Sequence, residues 1–214
     1  MKPRLLDLFC GAGGAAKGYA DAGFEVVGVD KNPQPNYPFY YYEADALELL
    51  KLAIDLRGYR GWAGPEIGGY AAIHPSPPCQ GYSSLAARHP DKEYPKLIGP
   101  TRDLLIATGL PYVIENVEQA ASAMQNPTML CGSSLGLAVR RHRLFETNFP
   151  LMAPGCAHGA HRKRFRIYEH GKWRLSPFVP VYGHGGGKER EEAPAAMDID
   201  WMTRAEIVEA IPPA

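Results

Sequence analysis

The stretch "RLLDLFCGAGGAAKGYADAGFEVVGVDKN" beginning at Arg4 divides into strand, glycine turn, helix and strand, and it constrains the fold more than any other part of the chain. Leu5, Leu6, Leu8 and Phe9 form a short apolar run, Gly11, Gly13 and Gly14 interrupt it, and Ala15 to Ala22 has helix-forming composition ended by Gly23. Glu25 to Val29 reads as a second, β-branched strand that ends at Asp30. Two strands joined through a helix make a βαβ unit, whose strands are parallel. The chain is therefore predicted to be α/β, with the first turn on the ligand side of an open parallel sheet.

Further along, "ADALELLKLAIDL" has helical spacing of Leu and Ala, "GYAAIHP" reads as a strand, and "LPYVIENV" as another buried strand. Arg57 to Gly69 is too rich in Gly and Pro to assign. From Pro150 to Lys188 prolines, glycines, histidines and basic residues dominate, which places a boundary near Phe149. "DIDWMTRAEIVEAIPPA" recovers helical periodicity, with Thr203 as N-cap and Glu206 completing a capping box. The expected units are 1–149, an irregular segment 150–197 and a helical ending 198–214.

With 214 residues, 45% of them hydrophobic and 21% charged, the chain has the composition of a soluble globular protein with a sizeable core. No apolar run approaches the ~20 residues of a membrane span, and the N-terminus has no signal-peptide layout. A cytoplasmic location is expected. Cys10, Cys79, Cys131 and Cys156 lack the spacing of a disulfide framework, which suits a reducing compartment. The net charge of zero hides an asymmetry: nine Lys or Arg between Arg140 and Arg174 face only Glu146 and Glu169. Such a surplus is either a solvated basic face or the footprint of a polyanion.

"IHPSPPCQGYSS", Ile73 to Ser84, sets one cysteine between prolines and a Gln-Gly turn after a strand. Pro75, Pro77 and Pro78 have no N–H to extend a ladder, so the segment leaves the sheet as a stiff loop and Cys79 is held out of the core. The glycine turn "CGAGG" lacks the spacing of a pyrophosphate loop, and no Walker lysine follows it. Asp30 is placed to hydrogen-bond a ribose diol, so adenosine without a polyphosphate fits better than NAD or ATP.

"DLFCGAGG" (7–14), "SPPCQGYS" (76–83), "VIENV" (113–117) and "RRHRLFET" (140–147) occur in the order and spacing of cytosine-C5 DNA methyltransferases, and the chain resembles a compact, phage-type member of that family. The resemblance implies a Rossmann-like class I methyltransferase fold with a mostly parallel, doubly wound sheet. Residues 1–149 would be the S-adenosylmethionine-binding catalytic domain, 150–197 a small target-recognition segment, and 198–214 a helical return to the catalytic domain. The implied activity is methyl transfer from S-adenosylmethionine to C5 of cytosine in double-stranded DNA, as in restriction-modification. The oligomeric state is not readable from the sequence, a monomer being the expectation, and a phage-encoded member would work in the cytoplasm of its host cell.

C5 of cytosine is too weak a nucleophile to take a methyl group until another nucleophile has added at C6. By resemblance, the Cys79 thiolate adds there, and such a thiol needs exposure and either a lowered pKa or a nearby cation. Glu115 would hold or protonate N3, which requires a carboxyl kept partly protonated by burial, and Asn116 would order its loop. Arg141 and Arg143 would support the active-site loop, the flipped base and a nearby phosphate; Val139 stands where the family usually has glutamine. The base must leave the duplex stack before a thiol can reach C6.

Cofactor contacts are implied at Asp7, Phe9, Gly11, Gly13, Gly14, Asp30, Asp45 and Pro77. Phe9 would stack on adenine, Asp30 take the ribose hydroxyls and Asp45 the adenine amino group, although Asp45 is equally suited to cap a helix. DNA contacts are expected from Gln80, Ser83, Arg162, Lys163, Arg164, Arg166 and Lys188. "GHGGGKE" (183–189) has the wrong spacing for a phosphate loop and reads as a DNA-contacting loop. Cys156, His158 and His161, with His170 and His184, match no common structural metal site and lack a clear fourth ligand, so no metal is expected. The family's closing helix would begin at "AIPPA", where this sequence ends, so a less closed cofactor pocket or a shortened chain is expected. The rival readings are an RNA (tRNA) cytosine-C5 methyltransferase and a catalytically inactive DNA-binding relic.

Overall fold

The computed structural model describes residues 1–58, 64–83, 91–159, 164–169, 172–179, 181 and 192–213, with the backbone alone at 166, 168 and 169. The N-terminal unit follows the expected alternation in β1 (Arg4–Leu8), α1 (Gly14–Asp21) and β2 (Glu25–Asp30), adds a short strand not expected from the sequence, β3 (Tyr41–Glu43), and continues with the expected helix α2 (Ala46–Asp55). β4 (Ala72–Pro75), α3 (Ile98–Thr108) and β5 (Val113–Asn116) come next. β1 to β4 form a parallel sheet in the order β3-β2-β1-β4, and a parallel bridge between Ile73 and Tyr112 leads on to β5. β6 (Thr128–Cys131) and β7 (His142–Thr147) complete the wall antiparallel, in the order β5-β7-β6. The architecture is α/β with a mostly parallel sheet.

The two-residue period of β1 assigns its faces. Leu6 and Leu8 join Val27, Val29, Ile73 and Ile114 beneath Leu49 and Leu50 of α2 and Leu105 of α3. Leu5 points the other way, packing with Val26 and Tyr37 against Ala16 of α1. The sheet is thus covered on both faces. Each fully buried leucine or isoleucine there contributes about 1.5–3 kcal/mol relative to exposure.

Helix α3 is absent from the expected pattern, because Gly99 and Pro100 look like breakers. Pro100 instead lies in the first turn, where a missing N–H leaves no intrahelical bond unmade, and Gly109 in the left-handed conformation stops the other end. In α2, Asp45 is the N-cap, accepting from the N–H groups of Leu47 and Glu48.

A second, smaller core surrounds the β8–β9 hairpin (Phe165–Glu169 and Lys172–Ser176). Phe165 and Ile167 pack with Val179, Val181, Ala138 and Val139, and with Met197 and Ile207 from α4 (Ala193–Met197) and α5 (Arg204–Glu209). Helix α5 has the capping box read from the sequence, with Thr203 and Glu206 bonded reciprocally. The chain then returns to α1: a Cβ added at Gly14 or Gly18 would meet the backbone carbonyls of Ile211 and Pro213. Among the described residues, no helix is long and apolar enough to cross a membrane.

Candidate active site

The strand ends bring the proline loop, β5 and β7 to one place. β4 takes Pro75 as its last residue, and the N–H of Ser76 still donates to the Leu8 carbonyl at 3.0 Å before the loop departs. Asn116, only 1% exposed at the end of β5, donates from Nδ2 to the Pro77 carbonyl at 2.8 Å, while its Oδ1 accepts from the Val117 N–H at 3.0 Å. One side chain thereby satisfies two backbone groups and pins the loop. The Cys79 carbonyl accepts from the N–H groups of Tyr82 and Ser83, so the thiol sits at the head of a tight turn.

Glu115 pairs with Phe145 across β5 and β7, which puts Arg143 on the same face as its diagonal neighbour. Arg143 Nε lies 2.8 Å from Glu115 Oε1. The carboxyl is 6% exposed. Burial raises its pKa above the usual carboxylate range, while Arg143, Arg141 and the Ser76 hydroxyl hold the rise back.

Cys79 differs from expectation in its ionisation. It is half-buried rather than held clear, and burial pushes its pKa up, opposed by the Arg143 guanidinium and reinforced by Glu115. The nearby cation is present, but desolvation outweighs it. A neutral Glu115 would leave Arg143 free to favour the thiolate.

Arg141 plays a different part from Arg143. Its guanidinium donates to the carbonyls of Val181 (3.1 Å) and Val208 (2.7 Å), tying β7 to the small core and to α5. Its Nε is buried without a hydrogen-bond partner, and the Val139 side chain offers no acceptor. Burial and Arg143 lower its pKa to about 9. A cavity of about 380 Å³ opens here, lined by Arg141, Arg143, Phe178, Val181 and Val208; Cys79 is not on its wall.

His74 and Ser76 join the site without having been expected there. Tyr19 Oη lies 3.0 Å from His74 Nδ1, and His74 Nε2 lies 3.0 Å from Ser76 Oγ. Burial lowers the His74 pKa to about 4, so the imidazole is neutral near pH 7. The chain Tyr19–His74–Ser76 ends at Glu115. Polar residues inside "IHPSPPC" are the available signal, since a histidine within an apolar strand needs partners.

On the other side of the proline loop, Phe9 has φ +57° and Gly11 and Gly13 have φ +49° and +86°, which curls the chain over the end of β1. A left-handed phenylalanine costs roughly 1–2 kcal/mol. Asp30 accepts from the N–H groups of Gly11 (3.0 Å) and Asn32 (2.9 Å), fixing the turn to the end of β2. A Cβ at Gly11 would meet nothing within 4 Å, whereas one at Gly13 would strike Tyr37 and Pro38. Gly11 therefore presents open backbone, and Gly13 serves packing. Gly14 begins α1 and faces Ile211. Asp7 lies beneath the turn, 1% exposed, within reach of the Tyr37 hydroxyl at 3.4 Å. The indole N–H of Trp201 donates to the Ala12 carbonyl at 2.9 Å, bringing the C-terminal segment to the same turn.

The structure thus groups Cys79, Glu115, Asn116, Arg143 and the Pro77 carbonyl, and separately Phe9, Gly11 and Asp30. Gln80 and Ser83 follow Cys79 in its turn, and the Gln80 Oε1 is buried without a hydrogen-bond partner. Arg164 is exposed just before β8, and Arg166 is in β8 opposite Leu175. Arg162, Lys163 and Lys188 lie outside the described residues.

No family model matches the chain. The type II methyltransferase M.AgeI of Thalassovita gelatinovora is 25% identical over 199 residues, covering 85% of this chain and 43% of the relative. The chain thus spans less than half of that relative's length. The structure of a candidate DNA modification methyltransferase from an E. coli prophage aligns with TM-score 0.47 and 22% identity, covering 67% of this chain and 45% of the other. M.HgiGI of Herpetosiphon aurantiacus is 32% identical over 125 residues, which cover 55% of this chain. Because that alignment takes in 92% of M.HgiGI, itself a type II methyltransferase, the chain belongs to the type II methyltransferase family.

Proposed function

We propose that the protein transfers a methyl group from S-adenosylmethionine to C5 of cytosine in double-stranded DNA. The observation that carries this reading is the convergence of Glu115 and Arg143, 2.8 Å apart, beside a Cys79 whose loop is held by Asn116. A thiol, a buried acid and a fixed cation are the groups that addition to a pyrimidine C6 requires.

The glycine turn fits the cofactor. Gly11 leaves open backbone beside an Asp30 carboxylate already oriented by two N–H groups, and each oxygen keeps a lone pair for a hydroxyl. Asp30 would hold the ribose hydroxyls, Phe9 the adenine face and Asp45, through the oxygen not used in capping α2, the amino group. Gly11, Gly13, Gly14 and Pro77 would supply the backbone wall. Asp7 would act through the turn it underlies. When bound, S-adenosylmethionine supplies an electrophilic sulfonium methyl.

Cys79 would form the bond to C6, and the electron pair displaced toward N3 would be met by a protonated Glu115. Giving up that proton leaves a carboxylate facing Arg143, where the charge is compensated. The C5 carbon made nucleophilic by this addition would take the methyl group; loss of the C5 proton to solvent would then expel Cys79 as the thiolate, and return of the N3 proton to Glu115 would restore the aromatic ring. Arg141, held by two backbone carbonyls, would keep the small core against β7. Gln80, Ser83, Arg164 and Arg166, with Arg162, Lys163 and Lys188, would contact DNA.

Incubation with labelled S-adenosylmethionine and either duplex DNA or tRNA tests the substrate. The expected result is label at C5 of cytosine in the duplex and none in tRNA. A duplex containing 5-fluorocytosine should form a covalent adduct, since fluorine cannot depart as the proton does, and Cys79→Ser should form none. Label on an exocyclic amine, or turnover by the serine variant near wild-type rate, would overturn the mechanism.

A further inference from the structure

We propose that Cys131, His142, Cys156 and His158 form a tetrahedral Cys2His2 site for a structural zinc ion, joining the β6–β7 edge of the sheet to the start of the segment after Phe149. Their ligand atoms all lie within 4.8 Å of one another. Cys131 Sγ is 3.4 Å from His158 Nε2, and Cys156 Sγ is 3.5 Å from His142 Nε2. Zinc bonds of about 2.3 Å to sulfur and about 2.0–2.1 Å to nitrogen at tetrahedral angles give S···N edges of about 3.5 Å. Both S···N pairs already have that length.

The elements that deliver the ligands are fixed independently of any metal. Cys131 and His142 are directly opposite each other at the ends of β6 and β7. Cys156 and His158 come from the loop that doubles back after β7. The two imidazoles lie side by side, with ring centroids 5.5 Å apart and planes 23° from parallel, and each turns Nε2 toward a thiol.

The surroundings are those of a metal centre. His142 Nδ1 faces Glu118 Oε1 at 3.3 Å, which fixes the tautomer that leaves Nε2 free to ligate. The Ser133 hydroxyl lies 3.0 Å from Cys131 Sγ and accepts from the Ala157 N–H at 3.2 Å, so one side chain supports the sulfur and the incoming loop. Two thiolates neutralise a divalent cation, and their two protons are released on binding. Such a mixed set of soft sulfur and borderline nitrogen donors, with no position left open, suits structural zinc.

The site explains a distribution that the sequence hides. Along the chain, Cys156 and His158 group with His161, His170 and His184, which lie outside the described residues, whereas their partners in space stand upstream in β6 and β7. Because His142 sits between Arg141 and Arg143, an ion there would also fix the start of β7, and with it the two arginines.

Metal analysis tests the site without reference to methyl transfer. Protein purified natively, without chelator, is expected to carry about one equivalent of zinc. Cobalt(II) taken up in its place should give a thiolate charge-transfer band and tetrahedral d–d absorption. Cys156→Ser, at an exposed position that tolerates the change, should lose most of the charge-transfer intensity; Cys79→Ala should keep it all. Glu118→Gln should weaken metal affinity by about 10–100-fold. Natively purified protein that is metal-free, whose exposed Cys156 thiol reacts freely and which gives no cobalt band, would overturn the proposal. So would a Cys131–Cys156 disulfide in the native protein, or full metal affinity in Cys156→Ser.

Discussion

Glu115 and Arg143 meet across two antiparallel strands at 2.8 Å, and Cys79 feels both: the guanidinium lowers its pKa and the carboxylate raises it. Burial raises the thiol's pKa most, and the protonation state of Glu115 shifts it further within that setting. In Glu115→Gln the opposing charge is gone, so the pH at which Cys79 reacts with iodoacetamide should move down. In Arg143→Gln it should move up. On the proposed mechanism, methyl transfer by Glu115→Gln should nevertheless fall by about 10²–10⁴-fold, because the variant cannot protonate N3. A variant with a more reactive thiol and wild-type turnover would remove Glu115 from the chemistry.

Asp30 links two backbone N–H groups, and this adds to what its loss should do. Asp30→Ala would free the Gly11 and Asn32 donors, each charge-assisted bond contributing about 1.5–3 kcal/mol before water replaces it. Asp30→Asn keeps an acceptor for the turn and removes the charge. Calorimetry should find cofactor affinity weakened in both, and melting should find only the alanine variant clearly destabilised. Equal affinity in all three proteins would remove Asp30 from the ribose site.

How far the sequence can be read follows from the range of the forces involved. The βαβ unit, the Thr203 capping box and the Asp45 cap depend on neighbours a few residues away, and they are legible. Helix α3 is not, because Gly99 and Pro100 are breakers by residue type and harmless only by their position at the start of a helix. The thiol environment escapes the sequence for a related reason: a cation can be matched to a motif, but the desolvation of Cys79 depends on what covers it. His74 and Ser76 acquire meaning only through Tyr19 and Glu115. The cysteine–histidine cluster is likewise tertiary, with Cys131 and His142 opposed by β pairing.

The basic segment can be tested as a unit. If Arg162, Lys163, Arg164 and Arg166 neutralise phosphates, their replacement by alanine should weaken binding to cognate and scrambled duplexes alike. The log–log salt slope should flatten by about 0.9 for each phosphate no longer neutralised. If one of them reads a guanine edge, preference at a single base pair should relax by about 1–3 kcal/mol. Wild-type affinity and slope for both duplexes would make this a solvated basic face.

Gly18 offers a packing test with an unusual sign. Exchanging a helical glycine for alanine commonly gains about 0.5–1 kcal/mol. Here the new methyl would fall on the Pro213 carbonyl, so Gly18→Ala should destabilise the protein and expose residues 211–213 to carboxypeptidase. Truncating the variant after Ala210 should restore the ordinary gain. A Gly18→Ala protein that melts higher with the tail still protected would show that the tail does not lie on α1.

Asp7 and His74 pull the stability profile in opposite directions. Burial, aided by Asp30 and opposed by the Tyr37 hydrogen bond, lifts the Asp7 pKa from its ordinary 3.8 to about 8. Between those values the folded chain keeps a proton that the unfolded chain has released, so this group lowers stability as pH rises through the window. Burial lowers His74 from 6.5 to about 4. Across that span the unfolded chain takes up a proton that the folded chain refuses, so this group lowers stability as pH falls. The two slopes offset each other from about pH 4 to 6.5, and from there to about 8 Asp7 acts alone. Urea midpoints for Asp7→Asn should therefore gain on wild type steadily between about pH 4 and 8, and those for His74→Gln should gain as pH falls from 6.5 toward 4. Parallel profiles for wild type and Asp7→Asn would mean that Asp7 is ionised in the folded chain, with Tyr37 donating to a carboxylate.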